Sequence, residues 1–401
     1  MEYNSFLMNF DKFSRIGWTK KEGVNRVSLN KYDLLARDEF VAQLRSVKAQ
    51  TEFDDAGNIY GIISKGERDL VAIGSHMDSV PFGGRFDGMY GVIAGLQLLK
   101  NLSKSRKKNH IAVIDFTNEE GSRWQPDLLG SGLATGAFDR DFINRREDVD
   151  GMTFISALKS TIFFGSPNNR VERQEPTVYL ELHIEQGPVL ESEGYEIGIP
   201  VGVVANIIDS YEFAGSSNHA GTTPISYRKD SLIAAAEFIK EVNQQLKLYS
   251  DIVATVGEII NLPNAYNVIP GTTQLKVDIR GWDFSKLKEF SFKINRLAYQ
   301  IAEVHGISMK YKRISLRDKT QFNKELIELI EKSCIRHGLK YKLMVSGATH
   351  DSVNMSKIAR TAMVFVPSHR GISHSKDEFT KDVDLLNGYK VLKSTVALLN
   401  E

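Results

Sequence analysis

The stretch Leu70-Val71-Ala72-Ile73-Gly74-Ser75 begins the segment that decides the fold. This apolar run leads into a glycine-rich loop, which is followed by a helical pattern at 89–102 and a second apolar run at 111–116. Strand, loop, helix and strand in that order form the repeating unit of a mostly parallel sheet. The segment therefore predicts an α/β fold.

Flanking segments extend this sheet and add a second domain. Apolar strand patterns recur at 178–184, 342–345 and 362–366, with helical patterns at 324–337 and 382–399. Residues 208–313 show the order strand, helix, strand, strand, helix, strand, which is typical of a ferredoxin-like unit. We predict a mixed, mostly parallel sheet with flanking helices, formed by residues 1–208 and 316–401, and an inserted ferredoxin-like α+β domain at 209–315.

The composition excludes several classes of partner. The 401 residues include 51 Lys and Arg against 50 Asp and Glu, so the net charge of +1 does not favour a nucleic acid, and we interpret the basic run at 104–108 as a solvated loop. A single cysteine, Cys334, allows no multi-cysteine metal site, so any metal must bind His and carboxylates. Because we find no secretory pattern at 1–6 and no apolar run near the roughly 18 residues of a membrane span, we expect a cytoplasmic protein without a membrane partner.

Histidines and carboxylates follow the predicted strands at their carboxyl ends, where sites form in open α/β sheets. They are His76, Asp78, Asp87, Glu119, Glu120, His183 and His374. The chain contains no nucleophile elbow, no phosphate-binding Gly-x4-Gly-Lys loop and no His-Glu-x-x-His helix. Metal-assisted chemistry is therefore favoured over nucleophilic catalysis by the protein.

Taken singly, each of these residues also fits a surface or capping role, but together they fit a metal centre. Three imidazoles and two carboxylates are enough for two metals about 3.5–4 Å apart that share a carboxylate; the set is His76, Asp87, Glu120, His183 and His374. Ligands without thiolate suit Zn²⁺, Mn²⁺, Co²⁺ or Ni²⁺. The adjacent acids Glu119 and Glu120 face different directions, which suits one as a ligand and the other as a proton carrier. Asp78 lies two residues after His76, a spacing that suits a carboxylate orienting the imidazole.

Seven motifs resemble those of a known family. They are Ser75-His76-Met77-Asp78-Ser79-Val80-Pro81, Gly84-Arg85-Phe86-Asp87-Gly88, Asn118-Glu119-Glu120-Gly121-Ser122-Arg123, Leu182-His183-Ile184-Glu185-Gln186-Gly187-Pro188, Gly257-Glu258-Ile259, Asn267-Val268-Ile269-Pro270-Gly271 and Gly371-Ile372-Ser373-His374-Ser375. In order and spacing, from about residue 23 onward, they are similar to the N-carbamoyl-L-amino-acid hydrolase and allantoate amidohydrolase branch of the M20 metallopeptidase-like family. The resemblance implies a zinc-peptidase-like catalytic domain and an inserted lid that also forms a homodimer.

The resemblance also implies two divalent metal ions per subunit, with zinc the first candidate and manganese, cobalt or nickel as alternatives. The implied ligand sets are His76, Asp87 and His183 for one metal, and Asp87, Glu120 and His374 for the other, with Asp87 as the bridge. Glu119 matches the family's general base, and Asp78 matches the carboxylate that orients His76.

Further residues are implied to contact the substrate. His219 matches a lid histidine that polarises the scissile carbonyl in the neighbouring subunit's site, although its loop also fits an ordinary turn histidine. Asn267 and Arg280 match lid residues that bind the substrate's α-carboxylate, and an Arg fork pairs well with a carboxylate. Gln186 is expected to bond the ureido group. The residue directly before His350 is Thr, whereas the family pattern commonly has Gly there. His350 is a further candidate substrate contact.

We expect an enzyme that cleaves the linear C–N amide bond of a small N-carbamoyl-L-amino acid, releasing the amino acid, CO2 and ammonia. The expected step is attack by a metal-bridging hydroxide, with Glu119 as general base. Allantoate or a related ureido acid is the alternative substrate, and N-acyl amino acids or dipeptides are a third. A metal-binding protein without catalysis remains as a different class, although the second acid beside Glu120 argues against it.

Overall fold

The computed structural model describes residues 2–64, 69–104 and 110–399, so the basic run lies outside the described residues except for Lys104. The chain divides into two compact units, one formed by Met1–Gly202 and Gln321–Glu401 and the other by Val203–Thr320. The predicted boundaries at 209 and 315 fall inside the strands Ala205–Ala214 and Ser308–Arg317, because both strands continue past the apolar pattern that marks them in the sequence. Across the described ranges, no helix is long and apolar enough to cross a membrane.

A mixed sheet forms the core of the first unit, with nine strands in the part of the chain that the structure describes. The strands are Gln50–Phe53, Ile59–Ser64, Val71–His76, His110–Phe116, Val178–Ile184, Ile197–Val203, Thr320–Gln321, Tyr341–Ser346 and Arg360–Val366. Four lie side by side and parallel at the centre, in the order Arg360–Val366, Val178–Ile184, Val71–His76 and His110–Phe116. Antiparallel strands border them. The predicted mixed α/β sheet is therefore confirmed.

Helices flank this sheet. They are Glu2–Ser14, Lys31–Ser46, Met89–Ser103, Leu129–Ala134, Arg140–Asn144, Phe154–Lys159, Val189–Glu193, Lys324–Arg336, Ser352–Met355 and Asp382–Leu398. Sequence analysis missed the first of them, although Phe6, Phe10 and Phe13 recur at helical spacing and are all buried. Phe6 stacks on Tyr389 of the last helix at a centroid distance of 4.8 Å, so the amino-terminal helix is part of the packed unit.

The second unit has the predicted ferredoxin-like arrangement. Its antiparallel sheet has the order Ile252–Leu262, Thr272–Gly281, Ala205–Ala214 and Ser308–Arg317. Two helices, Ser231–Leu246 and Phe284–Val304, bury their apolar faces on it. The first helix begins at Ser231, because the Asp230 carboxylate accepts hydrogen bonds from the amides of Leu232 and Ile233.

The helix Met89–Ser103 approaches the central strands closely at Gly91. A Cβ at this position would lie 2.4 Å from the carbonyl oxygen of Leu182 and 3.0 Å from Cβ of Ser75. Leu182 and Ser75 each precede a histidine of the candidate site. This contact therefore determines how closely the helix packs on the strands that carry His76 and His183.

Gly91→Ala is expected to destabilise the first unit. The added methyl group meets backbone, so helix and strand must separate, and we expect the free energy of unfolding to fall by about 1–3 kcal/mol despite the better helix propensity of Ala. Urea unfolding monitored by circular dichroism measures the change. Gly347→Ala is the matched control, since no described heavy atom lies within 4 Å of its Cβ position. Equal stability of the two variants would contradict this packing.

Candidate metal centre

The five predicted ligands lie together at the carboxyl ends of the parallel strands. Among the described residues, two groups are compact enough to hold a metal ion: His76, Asp87 and His183, and Asp87, Glu120 and His374. Within each group the ligand atoms lie within 4.8 Å of one another. Asp87 belongs to both groups, with Oδ1 3.1 Å from Nε2 of His183 and Oδ2 3.1 Å from Nε2 of His374. Asp87 therefore lies between the two groups, and its role as a bridging ligand stays a prediction.

Strand ends and left-handed turns bring these side chains together. His76 is the last residue of its strand, and His183 lies in the parallel strand beside it. Asn118 adopts a φ of 56° just before the two glutamates, and His374 itself adopts a φ of 52°. Such conformations cost a non-glycine residue about 1–3 kcal/mol and are typical of functional sites. The backbone thus bends at the two segments that bring Glu120 and His374 close to Asp87.

Backbone carbonyls fix the tautomers of two histidines. Nδ1 of His76 lies 2.9 Å from the carbonyl oxygen of Asp78, and Nδ1 of His183 lies 2.9 Å from that of Ile184. Because a carbonyl oxygen only accepts, both Nδ1 atoms carry the proton. In its neutral form each imidazole then has its lone pair on Nε2, which lies 3.7 Å (His76) and 3.1 Å (His183) from Oδ1 of Asp87, and a metal ligand requires such a lone pair.

The structure corrects the prediction of which group of Asp78 orients the His76 imidazole. Its carboxylate lies 3.8 Å from Nδ1 of His76, beyond hydrogen-bond distance, and the backbone carbonyl of the same residue makes the orienting contact. The carboxylate is occupied elsewhere: it accepts the backbone amides of Glu119 at 3.1 Å and Glu120 at 3.3 Å. Asp78 therefore joins the His76 segment to the turn that carries both glutamates.

Burial dominates the electrostatics of the site. It raises the pKa of Glu119 and Glu120 well above the usual value, and neighbouring carboxylates add to the effect. For Asp87, burial acts in the same direction, but hydrogen bonds from His183 and His374 outweigh it and hold its pKa well below normal. Burial lowers the pKa of His76 to about 4, so its imidazole is neutral at pH 7.

The donor set fits divalent metal ions. Oε1 of Glu120 is buried and has no hydrogen-bond partner among the described residues, so an acceptor is left for a cation. Carboxylate oxygens and neutral imidazole nitrogens are the ligands that such ions prefer in hydrolases. Glu119 belongs to neither group, but its Oε2 lies 3.5 Å from Nε2 of His76. The second acid is thus beside the ligands without being one of them.

Two predicted substrate contacts lie close to the ligands. Nε2 of Gln186 donates to Oδ2 of Asp87 at 2.8 Å and to Oγ of Ser373 at 3.2 Å. His350 is only 2% exposed; its Nε2 hydrogen bonds with Oγ of Ser346, and its ring packs on that of His183 at 4.5 Å. The structure thus places His350 in contact with the predicted ligand His183, and substrate contact by either residue stays a prediction.

The other predicted substrate residues lie in the second unit. Pairing of the short strands Asn218–His219 and Val268–Ile269 places His219 near Asn267, whose carbonyl accepts the amide of Ala220. Nδ1 of His219 accepts the amides of Gly221 and Thr222, which leaves the proton on Nε2 of an exposed ring. Arg280 pairs with Asp278 on its own strand at 2.7 Å and remains 34% exposed.

Sequence analysis missed a fully buried cation behind the site. Arg37 donates to Asp33 at 2.9 Å and lies 3.4 Å from Asp115. Asp115 accepts the amide of Met77, and Arg37 also donates to Oγ1 of Thr117. One guanidinium therefore connects the two loops that carry His76 and the glutamates. An Asp and an Arg four residues apart on a helix were the only signal in the sequence, and that spacing is common on exposed helices.

Comparison with known proteins identifies the family of this chain. The model of Peptidase family M20/M25/M40 matches residues 72–398. An N-carbamoyl-L-amino-acid amidohydrolase from Pseudomonas sp. (strain NS671) is 33% identical over 400 residues, covering 97% of this chain and 96% of that protein. The allantoate amidohydrolase of Escherichia coli (strain K12) is 32% identical over 385 residues, covering 94% and 93%.

A solved structure shows the same similarity. The crystal structure of an amidase of the hydantoinase/carbamoylase family from Burkholderia vietnamiensis matches with a TM-score of 0.90 at 32% identity, covering 98% of this chain and 97% of that one. The predicted enzyme class, a hydrolase acting on C–N amide bonds, is confirmed by the family match and the amidohydrolase relatives. The chain belongs to peptidase family M20/M25/M40 and, within it, to the branch of N-carbamoyl-L-amino-acid and allantoate amidohydrolases.

Proposed function

We propose that this chain hydrolyses N-carbamoyl-L-amino acids to the amino acid, CO2 and ammonia, with two divalent metal ions in each subunit. The observation that carries the proposal is the pair of ligand groups that share Asp87, with Glu119 beside them but in neither. A purely structural metal site has no use for that additional acid. The relatives named above act on carbamoyl and ureido acids, which supports a substrate of this class.

His76, Asp87 and His183 would hold one metal, and Asp87, Glu120 and His374 the other. When bound, such metals lower the pKa of water and polarise a carbonyl oxygen. Glu119 accepts a proton from the attacking water as the new C–O bond forms at the carbamoyl carbon. Glu119 then delivers that proton to the leaving nitrogen as the C–N bond breaks, and returns to its starting state.

The second unit supplies groups for the rest of the substrate. Arg280 and Asn267 bind the α-carboxylate, for which a partly exposed guanidinium is well suited. His219 donates from Nε2 to the scissile carbonyl oxygen, and its tautomer, set by the amides of Gly221 and Thr222, provides that proton. Gln186 bonds the ureido group.

A homodimer formed by the second unit is also part of the proposal. Its strand Ile252–Leu262 lies at one edge of the four-stranded sheet. Exposed apolar side chains on this strand are Val253, Ile259, Ile260 and Leu262. A long apolar edge strand is a site for pairing with another chain, and a second copy provides a matching edge.

The substrate prediction is tested by a panel of compounds given to the protein loaded with Zn²⁺ or Mn²⁺. We expect ammonia to be released from N-carbamoyl-L-amino acids in amounts equal to the amino acid. Ammonia from allantoate but from no carbamoyl amino acid would replace the proposed substrate with a ureido acid. Release of carboxylic acids from N-acyl amino acids alone would indicate the third alternative.

Glu119→Gln tests the base. The amide keeps the size of the side chain but takes up no proton, so we expect kcat to fall by about 10²- to 10⁴-fold. Metal content, measured by inductively coupled plasma mass spectrometry, is expected to remain that of the unchanged protein. Glu147→Gln, at an exposed position of the same unit, is the control and should keep both properties. Full activity of Glu119→Gln would refute the assigned base.

Co-expression of Glu119→Gln and His219→Ala chains tests whether His219 acts in the neighbouring subunit. Each variant alone is expected to be inactive. A mixed dimer then contains one intact site, because one chain supplies Glu119 and the other His219, so random pairing restores about a quarter of the activity per dimer. No recovery from dimers shown to be mixed would place His219 in its own subunit's site, and full activity of His219→Ala alone would place it outside catalysis.

A further inference from the structure

A buried glutamate that the mechanism does not use lies behind the bridging ligand. Glu378 is 5% exposed and follows His374 by one short turn, in which its amide donates to the carbonyl of Ser375. Because a buried carboxylate is costly unless hydrogen bonded, its partners indicate its role. Those partners are all connected to metal ligands.

One oxygen of Glu378 fixes the backbone of Asp87. Oε1 accepts the amide of Phe86 at 2.8 Å and the amide of Asp87 itself at 3.1 Å. Two successive amides are thereby directed at a single carboxylate oxygen. This arrangement holds the peptide plane on which the orientation of the bridging side chain depends.

The other oxygen is connected to the Asp87 carboxylate. Oε2 of Glu378 accepts from Oγ of Ser373 at 2.7 Å, the residue directly before His374. Oγ of Ser373 accepts in turn from Nε2 of Gln186, which also donates to Oδ2 of Asp87. Since Glu378 only accepts when ionised, it directs the Ser373 proton toward itself and leaves Ser373 to accept from Gln186.

The chain makes room for this glutamate at Gly84. A Cβ at Gly84 would lie 2.0 Å from both Cδ and Oε1 of Glu378. Gly84 has no positive φ, so space for the glutamate, and not backbone conformation, requires a glycine there. Phe86 and Glu378 are 292 residues apart in sequence, so two distant segments of the chain meet through one carboxylate.

We propose that Glu378 is a positioning residue that holds the bridging ligand Asp87 and the His374 segment as one unit. This inference rests on the proposed metal centre. Without Glu378, the amides of Phe86 and Asp87 and the hydroxyl of Ser373 lose their acceptor. Asp87 and the His374 segment, which both contribute to the ligand set that includes Glu120, then move independently of each other. Partners that orient metal ligands in this way are worth about 10- to 100-fold in metal affinity.

The test is Co²⁺ binding to the full chain, followed by visible absorption and by competition with a chelator. Glu378→Ala is expected to weaken Co²⁺ binding by about 10- to 100-fold and to change the d–d bands, which report coordination geometry. Gly84→Ala should reproduce the change, because its methyl group displaces the Glu378 carboxylate. Asp377→Asn is the matched control, being exposed and adjacent in sequence, and should keep the spectrum and affinity of the unchanged chain.

The outcomes separate this inference from the proposed function. Absence of Co²⁺ binding to the unchanged chain would overturn the metal centre and this inference with it. Normal Co²⁺ binding by the unchanged chain, together with the same spectrum and affinity in folded Glu378→Ala, would overturn only the role of Glu378. If Glu378→Ala does not fold, Glu378→Gln replaces it: the amide oxygen still accepts from Phe86 and Asp87, whereas its NH2 group faces Ser373. An unchanged spectrum and affinity in Glu378→Gln and in Gly84→Ala would then overturn the inference.

Discussion

Negative charge buried at the carboxyl ends of parallel strands is the constraint on which the rest of this structure depends. Asp87, Glu119 and Glu120 meet there with little access to water. A buried carboxylate costs several kcal/mol unless it is paired or binds a metal. Burial lowers the pKa of His76 to about 4, so this imidazole supplies no positive charge at pH 7. Divalent cations are the partners that would make such a site stable.

The scaffold holds these groups through contacts that are distant in sequence. Gly91 sets the helix against the strands of His76 and His183, Arg37 connects the loops behind them, and Glu378 accepts the amide of Asp87. None of these three residues is an expected ligand. Each removes freedom from a segment that carries one, so that the ligand atoms start close to their bound arrangement.

Much of this arrangement was predictable from the sequence, because apolar runs mark buried parallel strands and parallel strands place their following residues at one edge. His76 and the pair of glutamates were found in this way. The carbonyl that orients His76 was not, since the choice between the carbonyl and the carboxylate of Asp78 depends on backbone torsions at 77 and 78. Glu378 was missed because its function depends on Gly84, and no local periodicity connects the two.

Anomalous diffraction from crystals of the zinc-loaded protein tests the central claim most directly, because it locates metal atoms without any assumption about activity. The proposed centre predicts two peaks in each subunit, one on either side of the Asp87 carboxylate and each in contact with one of the two ligand groups. Peaks that share no contact with Asp87, or a fully loaded crystal with a single peak per subunit, would contradict a carboxylate-bridged pair.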